Sequence, residues 1–296
     1  MNRLTPSSFF SRLWLLWLLL TGLISPLRAE QFGDFTYSSD GSEITITQYT
    51  GSATEMVIPN IITGLPVKAI ANEVVYENNI LISIVIPDSV TSIEAGTFKR
   101  CSKLRNFSVD DDNPNYRSVG GVLFDKTETS LQCFPAGRTG SYIIPDHVAT
   151  IGAMAFYACK GLSSISIPSS VTKIEHSAFA GCSGLANLVI PNGVTSIERD
   201  TFGACTSLKS FTIPESVTAV GWSAFAGCVK MANISIGSNV RFIGANAFWG
   251  CTDLTSAAFP YGITSIEEGV FSGCARLASV AIPDSVISIE PIPKPV

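Results

Sequence analysis

The chain has two histidines among its 296 residues, His147 and His176, and they stand alone in different stretches. It has no C-x-x-C pair and no G-x-S-x-G elbow. The first absence argues against a zinc site and the second against a serine hydrolase of the α/β type. Charge is thin: Asp, Glu, Lys and Arg make up 15% of the residues. No cluster of Lys and Arg survives beyond Ala29, which argues against nucleic acid or an anionic membrane as partner. No apolar run reaches the ~20 residues that span a bilayer. The clearest one, Leu13–Ile24, has 12. No catalytic residue, metal ligand or cofactor is expected, and the chain does not read as an enzyme.

What the chain does have is a beat. Pro145, Pro168, Pro191, Pro214, Pro260 and Pro283 share one 23-residue register, with Gly237 filling the single gap. Cys159, Cys182, Cys205, Cys228, Cys251 and Cys274 keep the same spacing, and so do Phe156, Phe179, Phe202, Phe225, Phe248 and Phe271. One unit, from Leu162, reads L-S-S-I-S-I-P-S-S-V-T-K-I-E-H-S-A-F-A-G-C-S-G. A period of this size signals a stacked repeat, and about 20–29 residues per turn suits the leucine-rich-repeat class. L-x-x-I-x-I alternates as a half-buried strand does, and the proline after it ends the strand. V-T-x-I is a second extended piece. A-F-x-G-C predicts one short helical turn, closed by a glycine that tolerates left-handed geometry. A single unit cannot bury its own Leu, Ile, Val and Phe, so neighbours must bury them together. Strands about 4.8 Å apart make six such units a stack of roughly 29 Å, with the phenylalanines in columns. The expected fold is a β-rich solenoid of short parallel strands and short helical turns.

In chain order, residues 1–29 read as a secretory signal peptide: Arg3 and Arg12, then the apolar run, then Leu27-Arg28-Ala29 as a loose cleavage motif. That looseness leaves an uncleaved anchor open, while the lack of a nearby cysteine argues against a lipid anchor. Cleavage removes Arg3, Arg12 and Arg28 and no acid, so 16 basic residues remain against 24 acidic ones, a net charge of −8 with His neutral. Residues 30–80 depart from the beat. Strands are expected at Phe35–Tyr37, Glu43–Thr47 and Met56–Ile58, with a hairpin turn at Asp40-Gly41. They form a β-rich N-terminal cap and an irregular first repeat, which cover the sheet edge of the first coil. The solenoid runs over 81–290. Pro87 and Pro145 do not stand a whole number of repeats apart, and the excess lies in 110–140. Gly120–Phe124 and Ser130–Phe134 read there as a β-hairpin inserted into one coil and projecting from a face. Residues 291–296 carry three prolines and read as an extended Pro-rich tail. Without a visible closing cap the last coil exposes apolar surface, which leaves self-association and a longer chain both open.

The unit I-P-x-S-V-T-x-I-E-x-x-A-F-x-G-C-x-x-L resembles the BspA-like leucine-rich repeats of bacterial surface proteins. The resemblance runs over roughly Glu30 to Glu290 and includes the cap, with Asp34–Tyr37 and Gly64–Val67, and the insert, with Asn113–Tyr116 and Gly121–Phe124. It implies a secreted or cell-surface protein that binds extracellular or surface proteins, with adhesion the usual suggestion. It brings no catalytic residues, and no wall anchor is visible here.

Three constellations remain. Packing alone accounts for the cysteine ladder, so buried free thiols are expected, since in-register side chains point the same way and not at each other. Cys133 stands off the ladder, where pairing with Cys101 or Cys159 stays open. Glu94, Glu175, Glu198, Glu267 and Glu290 share one position, read as carboxylates accepting from exposed N–H groups at the start of the helical turn. The outward strand positions Ser164, Ser166, Asn187, Ser210, Thr212, Asn233 and Ser235 are small and uncharged. They form a flat surface for a broad, weakly held partner or another copy of the chain, or simply a solvated face. Trp222 and Trp249 lie on the turn side and are candidates for an exposed contact patch.

Overall fold

The computed structural model describes residues 29–290; the expected signal segment, but for Ala29, and the Pro-rich tail lie outside them. Each regular coil contributes two short strands. The first comes from L-x-x-I-x-I and pairs in parallel with its equivalent one repeat on, as Ser210–Ile213 does with Asn233–Ile236 and Ser256–Ala258 with Ser279–Ala281. The second comes from V-T-x-I, as in Ser196–Ile197, Ala219–Val220 and Phe242–Ile243. Inward residues of both strands are apolar, so the core lies between the two ladders. One coil departs from this plan. Leu185, Leu188 and Ile190 keep their buried places, but 185–190 form no strand, and the first ladder splits into a two-stranded and a four-stranded sheet.

The A-F-x-G-C segment is not a helical turn, and the described residues contain no helix. The reason lies in where its N–H groups go. Alternate amides leave the coil altogether: Ser177, Phe179 and Gly181 donate to the carbonyls of Arg199, Thr201 and Gly203 in the next coil. The amides between them close tight turns on their own coil, as Ala178 does on Glu175 and Ala180 on Ser177. Two left-handed residues per coil make this alternation possible. They are Ser177 (φ +56) and Gly181 (φ +75) here, and Asp200 (φ +55) and Ala204 (φ +55) in the next coil. A helix would leave all these donors inside one coil; a stack gives half of them a partner one coil away. The expectation that Gly181 is left-handed holds, while the helix around it does not.

The phenylalanines form a single pile. Ring centroids of Phe156 and Phe179 are 5.1 Å apart at 12°, those of Phe179 and Phe202 5.6 Å at 8°, and the series continues through Phe225 and Phe248 to Phe271. Each fully buried ring contributes about 1.5–3 kcal/mol, with about 0.5–1.5 kcal/mol more for each aromatic pair. Phe211 leans on this pile from the strand side, 4.8 Å from Phe225.

The cap is an antiparallel meander. Glu30–Phe32 pairs with Phe35–Ser39, and that strand with Ile44–Tyr49, which then begins the parallel stack by pairing with Leu65–Ile70. Placing short antiparallel strands at the edge keeps the long parallel ladder from exposing its own. The inserted hairpin does not project. Val122–Asp125 pairs antiparallel with both Tyr116–Val119 and Ser130–Cys133, and the latter pairs in parallel with Thr150–Ile151. Val122, Leu123 and Phe124 are all buried: Val122 and Phe124 face the core of the following coils and Leu123 that of the preceding ones. Successive side chains of a strand point to opposite faces, so this strand is the partition between the two cores.

Candidate functional site

Ser164, Ser166, Ser210, Thr212, Asn233 and Ser235 are exposed on parallel strands of the first ladder, and Asn187 is exposed on the coil that leaves it. Ser210 stands beside Asn233 and Thr212 beside Ser235, in register. The chemistry of this face is uncharged, hydroxyl and amide at most positions, with Ile143, Val189, Ala258 and Ala281 exposed among them.

Trp222 and Trp249 lie on the opposite, turn side and are 63% and 51% exposed. Gly244 makes the placing of Trp222 possible, since a Cβ there would collide with the indole Cδ1 and stand 2.7 Å from the Trp222 backbone nitrogen. Gly244 occupies the position that Glu94, Glu175 and Glu198 hold in other coils. Two of these carboxylates serve the neighbouring coil and not the start of a helix: Glu94 Oε2 accepts from the Asn72 N–H and Glu175 Oε2 from the Ala153 N–H, both at 3.0 Å, while Glu198 accepts from the Ser196 hydroxyl of its own coil.

All eight cysteines are free. The ladder thiols donate to carbonyls one coil back, Cys182 to Phe156 at 3.0 Å, Cys205 to Phe179 at 3.2 Å and Cys228 to Phe202 at 3.2 Å. Burial pushes the Cys101 and Cys228 thiols up to about 12 and raises Cys182 and Cys205 well above the ordinary thiol value. Thiolates are the reactive form, so these four thiols are chemically quiet; the half-buried Cys274, lowered by its contact with Cys251, is the exception. His147 is exposed, 3.4 Å from Glu128, while His176 Nδ1 is buried without a partner. The two histidines belong to different coils and share no group. Among the described residues no three His, Cys, Asp or Glu side chains gather as a metal site would need, and no helix is long and apolar enough to cross a membrane.

The concave part of the surface was not expected from the sequence. Two cavities, of about 250 and 340 Å³, lie where the hairpin coil interrupts the beat, between the turns at Gly96–Arg100 and Ala153–Ala158. Their signal was present in the spacing: Cys101 and Cys159 stand more than two repeats apart, and no A-F-x-G-C lies between them.

The profile of the BspA type leucine-rich repeat region matches in six copies, over residues 68–135, 127–252 and 177–292. The chain belongs to the BspA-type leucine-rich repeat family. Two solved structures share the fold of this BspA-type protein. A leucine-rich repeat protein from Eubacterium ventriosum superposes with a TM-score of 0.59 at 20% identity, over 83% of this chain and 94% of the other. The pneumococcal vaccine antigen PcpA superposes with a TM-score of 0.55 at 16% identity, over 89% and 93%. No curated protein sequence matches the BspA-type chain.

Proposed function

We infer that this BspA-type repeat protein is an exported, non-catalytic scaffold that binds other proteins outside the cell. One observation carries the reading: an exposed, uncharged face, mostly hydroxyl and amide, is presented in register over successive coils on a continuous buried core. Such a face offers many weak hydrogen bonds and no reacting group, which suits a broad protein partner and not a substrate. The apolar segment before Ala29 supports export, and the domain scheme of signal, cap, solenoid with hairpin and tail stands with it. Trp222 and Trp249 supply the large exposed aromatics that interfaces favour.

The test uses the chain from its own host. Mass spectrometry of the cell-surface and culture fractions should find it beginning at Glu30. Immobilised protein should retain a defined set of surface proteins, and a double variant, Ser210→Glu with Ser235→Glu, should lose them. Retention unchanged by that variant and by Trp222→Ala with Trp249→Ala contradicts the contact face, and a chain confined to the cytoplasm contradicts export.

A second reading has its own observation. Ile282, Ile287 and Ile289 are 49%, 87% and 62% exposed on the last described coil. That surface suits end-to-end association of copies into a structural assembly, and light scattering over a concentration series separates it from a monomeric binder.

A further inference from the structure

The strands of the first ladder all run the same way, so their face has one rim where the chain enters and one where it leaves. The two rims carry opposite charge. Arg138 precedes Gly140–Ile143 and Asp146 follows it. Lys209 and Glu215 flank Ser210–Ile213 in the same order, and Arg276 and Asp284 flank Ser279–Ala281. Past the hairpin coil the rims continue: Lys103 and Arg105 stand before Asn106–Val109, and Asp110 to Asp112 directly after it. Lys160 and Lys230 add to the entry rim. Between the ladder cysteines and the strands that follow them the one acid is Asp253, which Arg276 already holds at 3.3 Å. On the exit rim no Lys or Arg lies within three residues after any strand of this ladder. None of this forms a charged run of both signs in the sequence; the stacking of one coil on the next lines the charges up.

Apart from Arg276, these rim cations have no carboxylate partner among the described residues, and the exit-rim acids have no cation. Arg138 is held in place by the Arg105 and Gly120 carbonyls, at 2.7 and 2.6 Å, with no acid beside it. Charges that serve solubility alone intersperse the two signs; these are sorted by side. The sorting selects one symmetry. Two copies can meet face to face about either of two twofold axes lying in the face. An axis along the strands sets equal rims together, cation on cation. An axis along the stack turns the strands of the two copies antiparallel and lays each basic rim on the other's acidic rim. Each coil then meets the same coil of the second copy, so that Arg138 faces Asp146, Lys209 faces Glu215 and Arg276 faces Asp284, each pair occurring twice.

We propose that the chain forms a closed dimer through the first-ladder face, with the twofold axis along the stack. Between the rims, from Gly140 to Ala281, no outward strand position is charged. The side chains there are mostly small, which lets two sheets approach to the ~10 Å of packed sheets. Ile143 and Val189, 73% and 81% exposed, are covered in that contact. The seven coils from Gly140 to Ala281 span about 29 Å, and a strand with its rims is about 20–26 Å wide. The face therefore offers roughly 600–750 Å² per copy, close to the ~800 Å² of a standard stable interface. Exposed ion pairs are weak singly, so burial supplies the affinity and the rims fix partner and orientation. A partner of one charge sign would be drawn to one rim and repelled by the other; a second copy satisfies both. The inference rests on the strand-face reading above and gives that face one partner.

The experiment is light scattering and sedimentation of the unmodified chain beginning at Glu30, in low salt, over about 1–200 µM. The mass should rise to two copies and stop there, since an isologous contact closes on itself. Salt raised from about 0.05 to 0.5 M should weaken the dimer at least fivefold. Lys209 and Glu215 are both exposed, so reversing them spares the core. Lys209→Glu and Glu215→Lys should each weaken the dimer at least fivefold, and the two together should restore it, because the swapped residues meet across the axis. Ile287→Glu with Ile289→Glu, at the far end of the stack, should leave it unchanged. A chain that stays monomeric throughout the series overturns the proposal, and that result depends on no variant. A mass that climbs past two copies overturns it in favour of end-to-end association, and a double swap no tighter than the single variants overturns the axis. A monomer that still retains surface proteins removes the dimer alone; a dimer that retains none keeps the second copy and removes the wider protein-binding reading.

Discussion

The thiol of Cys182 donates to the carbonyl oxygen of Phe156, one coil back, at 3.0 Å. The same contact recurs from Cys205 to Phe179, Cys228 to Phe202 and Cys251 to Phe225. It joins the two columns of the repeat, so the cysteine is a small buried donor that ties each coil to the one before. Cys205→Ala should cost about 1–2 kcal/mol, from the lost donor and a small cavity, and Cys205→Ser less, because a hydroxyl can still donate. Denaturant melts of the three proteins check the order.

The phenylalanine pile should be intolerant of gaps. Phe202→Ala removes a ring that touches Phe179, Phe225 and Phe211 and should cost about 3–5 kcal/mol. In a stack each coil depends on its neighbours, so the loss should also spread: hydrogen exchange ought to rise in the coils on both sides of Phe202 and not in the cap. Exchange that rises uniformly across the chain contradicts nearest-neighbour coupling.

The left-handed positions make opposite predictions for two similar residues. Ala158 already stands at φ +56, so Ala158→Gly should change stability by less than about 1 kcal/mol. Gly250 stands at φ +68 with the Gly227 Cα 3.9 Å from where a Cβ would be. Gly250→Val puts a β-branched residue into the left-handed region and should cost about 1–3 kcal/mol. Thermal melts of both variants decide.

Alkali should loosen the fold through the thiols. The Cys101 and Cys228 thiols are pushed up to about 12 by burial, above their ordinary value. A group whose pKa is raised on folding lends stability that is full below its unfolded value of about 8.5 and is lost as pH rises through the folded one. The denaturation midpoint should therefore stay level on this account from pH 6 to 8 and fall between about 9 and 12, and less so in Cys228→Ala. A midpoint that is the same at pH 8 and pH 11 contradicts it.

The columns were legible because proline, cysteine and phenylalanine meet the same surroundings at each coil, and identical surroundings select identical residues. The turn was misread because A-F-x-G-C favours a helix locally, while the partners that override it, such as Arg199 and Thr201 for Ser177 and Phe179, lie one coil away. Short helices have little stability of their own to resist such partners. The hairpin was placed in the sequence but not oriented. Val122, Leu123 and Phe124 are consecutive apolar residues, the mark of a strand buried on both faces, and that run was the clue that it lies inside. The strand-face hydroxyls were legible as outward positions from period two alone. The two cavities beside the hairpin coil were not, since they arise where that coil is three residues shorter than its neighbour.

The central claim is that equivalent residues sit in one registered column. Spin labels at Ser164→Cys and Ser279→Cys, with Cys133 and Cys274 replaced by alanine, measure it by dipolar spectroscopy. Five coils separate the two sites, and at about 4.8 Å per coil the account predicts a single narrow distance near 24 Å, shortening to near 19 Å for Ser164→Cys with Ser256→Cys. A broad distribution, or a distance that does not shorten by one coil step, would contradict it.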